Sequence, residues 1–193
     1  MKKHSKEHVI EVGEELFKSQ GFHNTGTEDI LKKSEYPRSS FYYHFKSKEN
    51  FAVQVLEHYG DRSAKLYASV LKNNQLGNPM ERLEKFGTMM HKMSSEKQFK
   101  SECLVQKFSV ECAGLNDELR VASEIQLSKI LAVIEDCMRE GQNSNDIRKD
   151  IAPKQLAEFF HSLFYGGFIL SRLRTNDKIM GANLTMMLDY IKN

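Results

Sequence analysis

Apolar residues recur at spacings of three and four along almost the whole chain, and strand-like alternation is nearly absent. That pattern alone predicts an all-α protein. The three prolines agree with it. Pro37, Pro79 and Pro153 all fall outside the long periodic stretches, where a ring without an N–H would break a helix. With 193 residues the chain has room for one domain or two small ones. Its 40% hydrophobic and 28% charged content is that of a folded protein, not a disordered one. No apolar run approaches the roughly 20 residues that span a bilayer.

The basic N-terminus runs straight into Glu11, Glu14 and Glu15, so no signal-peptide core is expected there. Cys103, Cys112 and Cys137 are too few and too scattered for a disulfide framework or a zinc ribbon. No cluster of His, Cys, Asp and Glu stands at metal-ligand spacing, and there is no glycine-rich phosphate loop. The expectation is a reduced, cytoplasmic protein with no metal and no cofactor.

Capping residues divide the chain into about nine helices. The first carries Val9, Val12 and Leu16 beside Ile10, Gly13 and Phe17, and stops at Gly21 in a left-handed turn with Phe22 packing back. A short helix follows from Thr27, as N-cap, to about Ser34. Pro37 is placed at N1 of a third, which runs through Phe41-Tyr42-Tyr43. Ser47 caps a long fourth helix bearing Phe51, Val55, Tyr59, Leu66 and Val70. Asn78-Pro79 with Glu81 makes a strong helix start, and Asn116-Asp117-Glu118 makes another, which is expected to end at Gly141. Pro153 opens a helix to about Thr175, and Ile179 opens the last.

Net charge is only +2, but its distribution is uneven. Between Ile30 and Lys48 stand Lys32, Lys33, Arg38, Lys46 and Lys48 against the single carboxylate of Glu35. Two short helices joined by a tight turn within this basic stretch fit a helix-turn-helix, whose second helix enters the major groove. Other helical hairpins fit the same test. The residues themselves go further. The stretch Gly21 to Phe51, and above all F-Y-Y-H-F-K-S-K-E from Phe41 to Glu49 with T-x-x-I from Thr27 to Ile30, resembles the DNA-binding signature of the TetR family of transcriptional repressors. Glu35 stands where that family often has Gly in the turn, and Ser39 where it often has Gly early in the recognition helix. Both are compatible with a right-handed helical backbone.

The resemblance implies an N-terminal three-helix reader over residues 1–47 and a larger helical domain over 48–193 for effector binding and dimerisation. It also implies roles within the reader. Thr27 would offer its hydroxyl and neighbouring amides to a phosphate. Pro37 would open the recognition helix, with Arg38, Ser39 and Ser40 on its first turn facing base edges. Arg38 suits guanine or a phosphate. Tyr42 and Tyr43 would contact phosphate or thymine or be simple surface residues, because Phe41 and Phe45 already supply the apolar face. His44 would lie near the DNA backbone or have a structural role. Lys48 opposes the dipole of its own helix, and a phosphate partner would explain it.

In the larger half, Phe86, Met89, Met90, Met93, Cys103, Phe108, Phe160 and Phe164 are candidates for an adaptable apolar effector pocket, with plain core as the alternative for each. The helix from Pro153 is apolar around more than one face. With the final helix it would form a four-helix homodimer interface, as in the family, through Phe168, Leu184, Met187 and Leu188, the core of a monomeric bundle being the alternative. His91 and His161 read as core or surface histidines.

The block C-L-V-x-x-F-x-x-E starting at Cys103 resembles one in the LmrA/YxaF-like branch, which usually has Gly in place of Glu102. Cys103 or Cys112 would be either a small buried hydrophobe or a sensor of oxidants and electrophiles, activated by Lys100 or Lys107 and opposed by Glu102. About 13 Å of continuous helix would separate the two thiols, which excludes an intrahelical disulfide. The expected function is a homodimeric repressor that a small apolar or electrophilic effector releases from an operator duplex. A thiol-based sensing repressor is the nearest alternative. A helical Cys-dependent enzyme or a protein-binding adaptor would leave the helix-turn-helix pattern unexplained.

Overall fold

The computed structural model describes residues 5–99 and 103–193. Among them the chain forms nine α-helices: α1 (Lys6–Gln20), α2 (Thr27–Ser34), α3 (Arg38–Phe45), α4 (Lys48–Leu71), α5 (Pro79–Glu96), α6 (Leu104–Glu111), α7 (Asp117–Asn143), α8 (Pro153–Arg174) and α9 (Lys178–Ile191). A single 3-10 turn, Asn74–Leu76, precedes α5, and the described residues contain no strand beyond an isolated bridge between Ile147 and Lys192. No helix among them is long and apolar enough to cross a membrane. Lys100 and Glu102, named above as modifiers of Cys103, lie outside the described residues.

Most helix ends follow the caps in the sequence. Asn78 and Glu81 exchange backbone N–H bonds, both at 2.9 Å, with Pro79 at N1. Asn50 N–H donates to the Ser47 hydroxyl at 3.0 Å, and Leu119 N–H to the Asn116 side chain at 3.0 Å. Four boundaries differ, the smallest being that of α9, which opens at Lys178 behind Asp177 rather than at Ile179. Thr27 is the first helical residue of α2 rather than its cap. The cap is Gly26, whose own N–H donates to the Asp29 carboxylate at 2.9 Å. Pro37 is the N-cap of α3, one place earlier than expected, with extended ψ of 131°. Helix α7 runs through Gly141 to Asn143, because Gly141 serves there to admit the Ile147 side chain.

The chain divides into two compact units. The first takes residues 1–62 and 102–128, and its core is a run of aromatic rings. Phe41, Phe45 and Phe51 lie 4.8–5.1 Å apart, Phe17 joins at Phe51, and Phe108 from α6 sits 5.4 Å from Phe17 and 5.7 Å from Phe22. Gly13 lets α1 approach this stack, since any side chain there would collide with the Phe51 ring. The packing boundary is therefore not the 47/48 division read from the sequence: the start of α4, all of α6 and the first part of α7 belong with α1–α3.

Lys48, in the first turn of α4, fastens the α1–α2 turn. Its ammonium donates to the carbonyls of Phe22 and Thr25, each at 3.1 Å, and stands 4.2 Å from the Phe22 ring centroid. These carbonyls answer the unfavourable helix dipole within the chain itself.

The second unit takes residues 63–101 and 129–193. Leu71, Leu83, Phe86, Ile134, Met138, Leu156, Phe160 and Met187 form its core. Arg82 is fully buried there, 2.6 Å from the Glu140 carboxylate and donating to the Asn74 side chain at 2.7 Å. Three of the four residues expected at a dimer interface, Phe168, Leu184 and Met187, are buried within their own unit instead. Phe168 packs with Phe99 and Met180, Leu184 lies over Gly87, Met187 is core, and Leu188 is half-buried against it. A helix apolar on two sides spends one side on its own chain, and periodicity does not say which.

Two expectations follow. Lys48→Ala leaves two turn carbonyls without their charged donor, so its melting temperature should fall by several degrees in the absence of DNA, corresponding to about 1–3 kcal/mol. Calorimetry on the free protein checks this. Burial pushes the His161 imidazole down to about 4 from 6.5. The unfolded chain therefore takes up a proton that the folded chain refuses, so stability is full above about 6.5 and is lost as pH falls toward 4. His161→Phe should flatten this acid limb in melting curves recorded from pH 7.5 to 4.5.

Candidate nucleic-acid interface

An eight-residue helix has little stability in water, so α3 depends on what it packs against. Phe41 and Phe45 are fully buried at i and i+4, which fixes the rotation of the helix. The same rotation turns Arg38, Ser39, Tyr42, Tyr43 and His44 to solvent, with Ser40 half-buried. Tyr43 is 73% exposed, so its ring is not core. Lys46 follows with its ammonium 5.3 Å from the Tyr43 ring centroid, which adds a cation beside the exposed phenol. The described surface of α3 thus offers a guanidinium, hydroxyls and an imidazole over an apolar base. These are donors suited to phosphates and base edges.

The turn between α2 and α3 explains how the two helices are set. Glu35 closes α2 with φ 53° and ψ 25°, a left-handed conformation. The sequence reading placed it in right-handed backbone; this position is instead the one for which Gly is the unstrained choice, and a side chain there costs roughly 1–2 kcal/mol. Tyr36 offsets the strain by burying its ring against Phe45 at 6.4 Å. Its N–H donates to the Ser34 hydroxyl at 3.3 Å. Ser39 lies inside regular helix, so the loss of Gly at that second position leaves the backbone unchanged.

Thr27 is half-buried in the first turn of α2, and Glu28 beside it forms an ion pair with Arg38 across the helix pair. The sequence reading missed Glu28. Its neighbour Asp29 has a capping task, whereas Glu28 has none, and that contrast was the available signal. Lys33 pairs with Glu15 at 2.8 Å.

The residues proposed as an effector pocket do not come together as one set. Phe86, Met89, Met90, Phe160 and Phe164 belong to the second unit, where Phe86 lies 6.3 Å from Phe160 and 6.5 Å from Phe164. Met93 is exposed. Phe108 and Cys103 belong to the first unit, where Phe108 is core beneath the reader and Cys103 packs against that core. An open groove of about 460 Å³ in the second unit is lined by none of the eight, but by polar residues including Asn78, Glu81, Glu84, Asp146 and Asp189.

The two candidate sensor thiols cap opposite ends of α6. Cys103 is half-buried, whereas Cys112 is buried and its thiol is pushed up to about 11 by that burial and by Glu111. That is the opposite of activation. Lys107, the cation expected to activate a thiol, donates instead to the Lys18 carbonyl at 3.0 Å. No three His, Cys, Asp or Glu side chains among the described residues are placed to hold a metal.

Residues 9–55 match the family described as bacterial regulatory proteins of the tetR family, and residues 79–187 match the tetracyclin repressor-like C-terminal domain. The HTH-type transcriptional repressor DhaR of Mycobacterium sp. (strain GP1) is 28% identical over 96% of this chain and 91% of its own length. The HTH-type transcriptional repressor NemR of Escherichia coli (strain K12) is 28% identical over 90% and 88%. Among solved structures, the reduced form of E. coli NemR superposes with a TM-score of 0.87 at 25% identity, covering 96% of each chain. A regulatory protein TetR from Rhodobacter sphaeroides gives 0.85 at 25% identity, covering 96% and 97%. These relatives are regulators and not enzymes, and both matched domains are regulator domains. The chain belongs to the TetR family of DNA-binding transcription regulators.

Proposed function

We propose that this protein is a homodimeric repressor that a small apolar or electrophilic molecule releases from its operator. The observation that carries the reading is the division of α3, with Phe41 and Phe45 locked in the core and Arg38, Ser39, Tyr42, Tyr43 and His44 facing out. A helix held this firmly by one face presents the other in fixed register, which reading a base sequence requires. Residues 1–47 then contain the groups that meet DNA. Arg38, at the start of the recognition helix, reads a base. Thr27, Tyr42, Tyr43 and His44 contact the backbone or thymine, and Lys48 acts chiefly by holding the turn. The relatives named as repressors support the sign of the regulation.

Dimerisation is assigned to the outer faces of α8 and α9. Leu170 and Leu173 on α8, with Met186 and Tyr190 on α9, are exposed large apolar residues on two helices that pack together. Covering them on a second copy removes that apolar area from water. This moves the interface by a helix face from the one read in the sequence. The effector is assigned to residues around Phe86, Met89, Met90, Phe160 and Phe164, where methionines can adapt to a ligand's shape. Of the two candidate thiols Cys103 is assigned the reaction with an electrophile, a reading supported by its partial exposure where Cys112 is buried.

A duplex enriched by the wild-type protein from a randomised library supplies the operator for the tests. Arg38→Ala should lose about 1–3 kcal/mol of discrimination at one or two base pairs while binding to unrelated duplex changes little. Unchanged discrimination would remove Arg38 from the base-reading set. The double variant Leu173→Asp, Met186→Asp should sediment as a monomer and bind the operator at least tenfold more weakly, because two half-sites need two readers. A dimer that survives this change would place the interface elsewhere. Release from the enriched duplex is measured against a panel of apolar compounds and a quinone, with Cys103→Ser beside wild type. Release by the quinone that Cys103→Ser abolishes would identify the thiol as the contact.

A further inference from the structure

The turn between α1 and α2 has no regular structure of its own, yet it decides where α2 begins and so how α3 is presented. Both backbone polar groups of Phe22, in the middle of that turn, are held by charged side chains from outside α1–α3. Its carbonyl accepts from the Lys48 ammonium of α4 at 3.1 Å. Its N–H donates to the Glu111 carboxylate of α6 at 2.7 Å, across 89 residues of sequence. From these contacts we infer that Glu111 is a positioning residue for operator recognition: α6 holds the recognition helices in reading register through the Phe22 N–H, without touching DNA.

Several independent contacts converge on the same place. Gly21, at φ 85°, lies directly beneath the Glu111 carboxylate, and any side chain there would occupy the space of its oxygens. His23 is joined through its Nε2 to the Glu111 backbone carbonyl at 3.2 Å. One turn earlier on α6, Lys107 donates to the Lys18 carbonyl in the last turn of α1 at 3.0 Å, and the Phe108 ring packs against both Phe17 and Phe22. Lys107 also stands 3.9 Å from Glu111, so the carboxylate has a cation beside it as well as an amide to accept from.

Stability of the aromatic core alone needs Phe108 and nothing of Glu111. A carboxylate that receives a single backbone N–H in a turn instead fixes a direction. An amide bonded to an ionised acceptor gives up its freedom more completely than one bonded to water. Releasing it returns the Gly21–Gly26 stretch to several conformers, and each wrong conformer lowers operator affinity by the fraction of time it is populated. Linkage makes the effect reciprocal: operator bound to the reader should tighten the hold on Phe22, and anything that displaces the end of α6 should weaken operator binding.

This inference rests on the regulator reading above and has its own readout. Glu111→Ala removes the acceptor, Glu111→Asp keeps the charge but shortens the reach by one methylene, and Glu111→Gln keeps an acceptor oxygen at the same distance. Amide hydrogen exchange at Phe22 is followed in the free protein, and affinity is measured for the enriched operator and for a scrambled duplex. The expected result is faster Phe22 exchange in the Ala and Asp variants, with an operator affinity roughly tenfold lower and scrambled-duplex affinity unchanged. Glu111→Gln should recover most of both. Wild-type operator affinity in Ala and Asp, with Phe22 exchange accelerated, would overturn the positioning role while leaving the contact in place. Equal losses on operator and scrambled duplex would overturn it as well, by marking general damage. Failure of wild type itself to prefer any duplex would sink the regulator reading, and this inference with it.

Discussion

The recognition helix exists because two phenylalanines four residues apart are buried. Eight residues do not sustain an α-helix in water, and α3 has no charged capping device to help. Phe41 and Phe45, packed on Phe51, supply what the helix lacks. Full burial of each ring stabilises by about 1.5–3 kcal/mol, and ring pairs in tilted or edge-on contact add to that. The surface chemistry is a consequence. Once those rings set the rotation of α3, its other residues have only one side left to face, and that side carries Arg38, Tyr42 and Tyr43.

Charges inside the two units specify geometry more than they add stability. Glu14 of α1 is buried, and burial pushes its carboxyl up. Lys18 at 2.7 Å and Arg62 of α4 outweigh that and hold it below the usual carboxylate range. Replacing such a group by a hydrocarbon of equal volume is often neutral or better for stability. What a hydrocarbon does not do is join α1 to α4 at one register. Arg82, buried against Glu140 and Asn74, has the same part in the second unit, where it ties α5 to α7.

How much of this could be read from the sequence depends on distance along the chain. Helices and their starts were legible, because a cap or an i, i+4 pair involves residues within one turn of each other; Asn78 with Glu81 and Phe41 with Phe45 are examples. The recognition helix was legible for a further reason, since its aromatic spacing belongs to a known signature. Contacts made by distant residues were not. Phe86 and Phe108 look alike in an apolar helical pattern, yet one lies in the second unit and the other under the reader. The same limit sent Phe168, Leu184 and Met187 to an outer face when they pack on Phe99, Gly87 and the core of their own unit. Glu35 marks a different gap: a left-handed residue that is not Gly or Asn leaves no trace in composition, and only the buried Tyr36 beside it shows how the turn is held.

The seating of Phe108 under Phe17 and Phe22 has a consequence for the order in which the molecule is made. A chain leaving the ribosome N-terminus first presents α1 to α3 long before α6 is synthesised. Until then the first helices lack one ring of their core and the acceptor for the Phe22 amide. Closure of that core awaits a contact some 90 residues away in sequence, a non-local step of the kind that slows folding. The first 55 residues, although they contain every group assigned to DNA, are thus an incomplete folding unit. A nascent regulator of this design acquires its finished reader only after more than half of the chain has emerged.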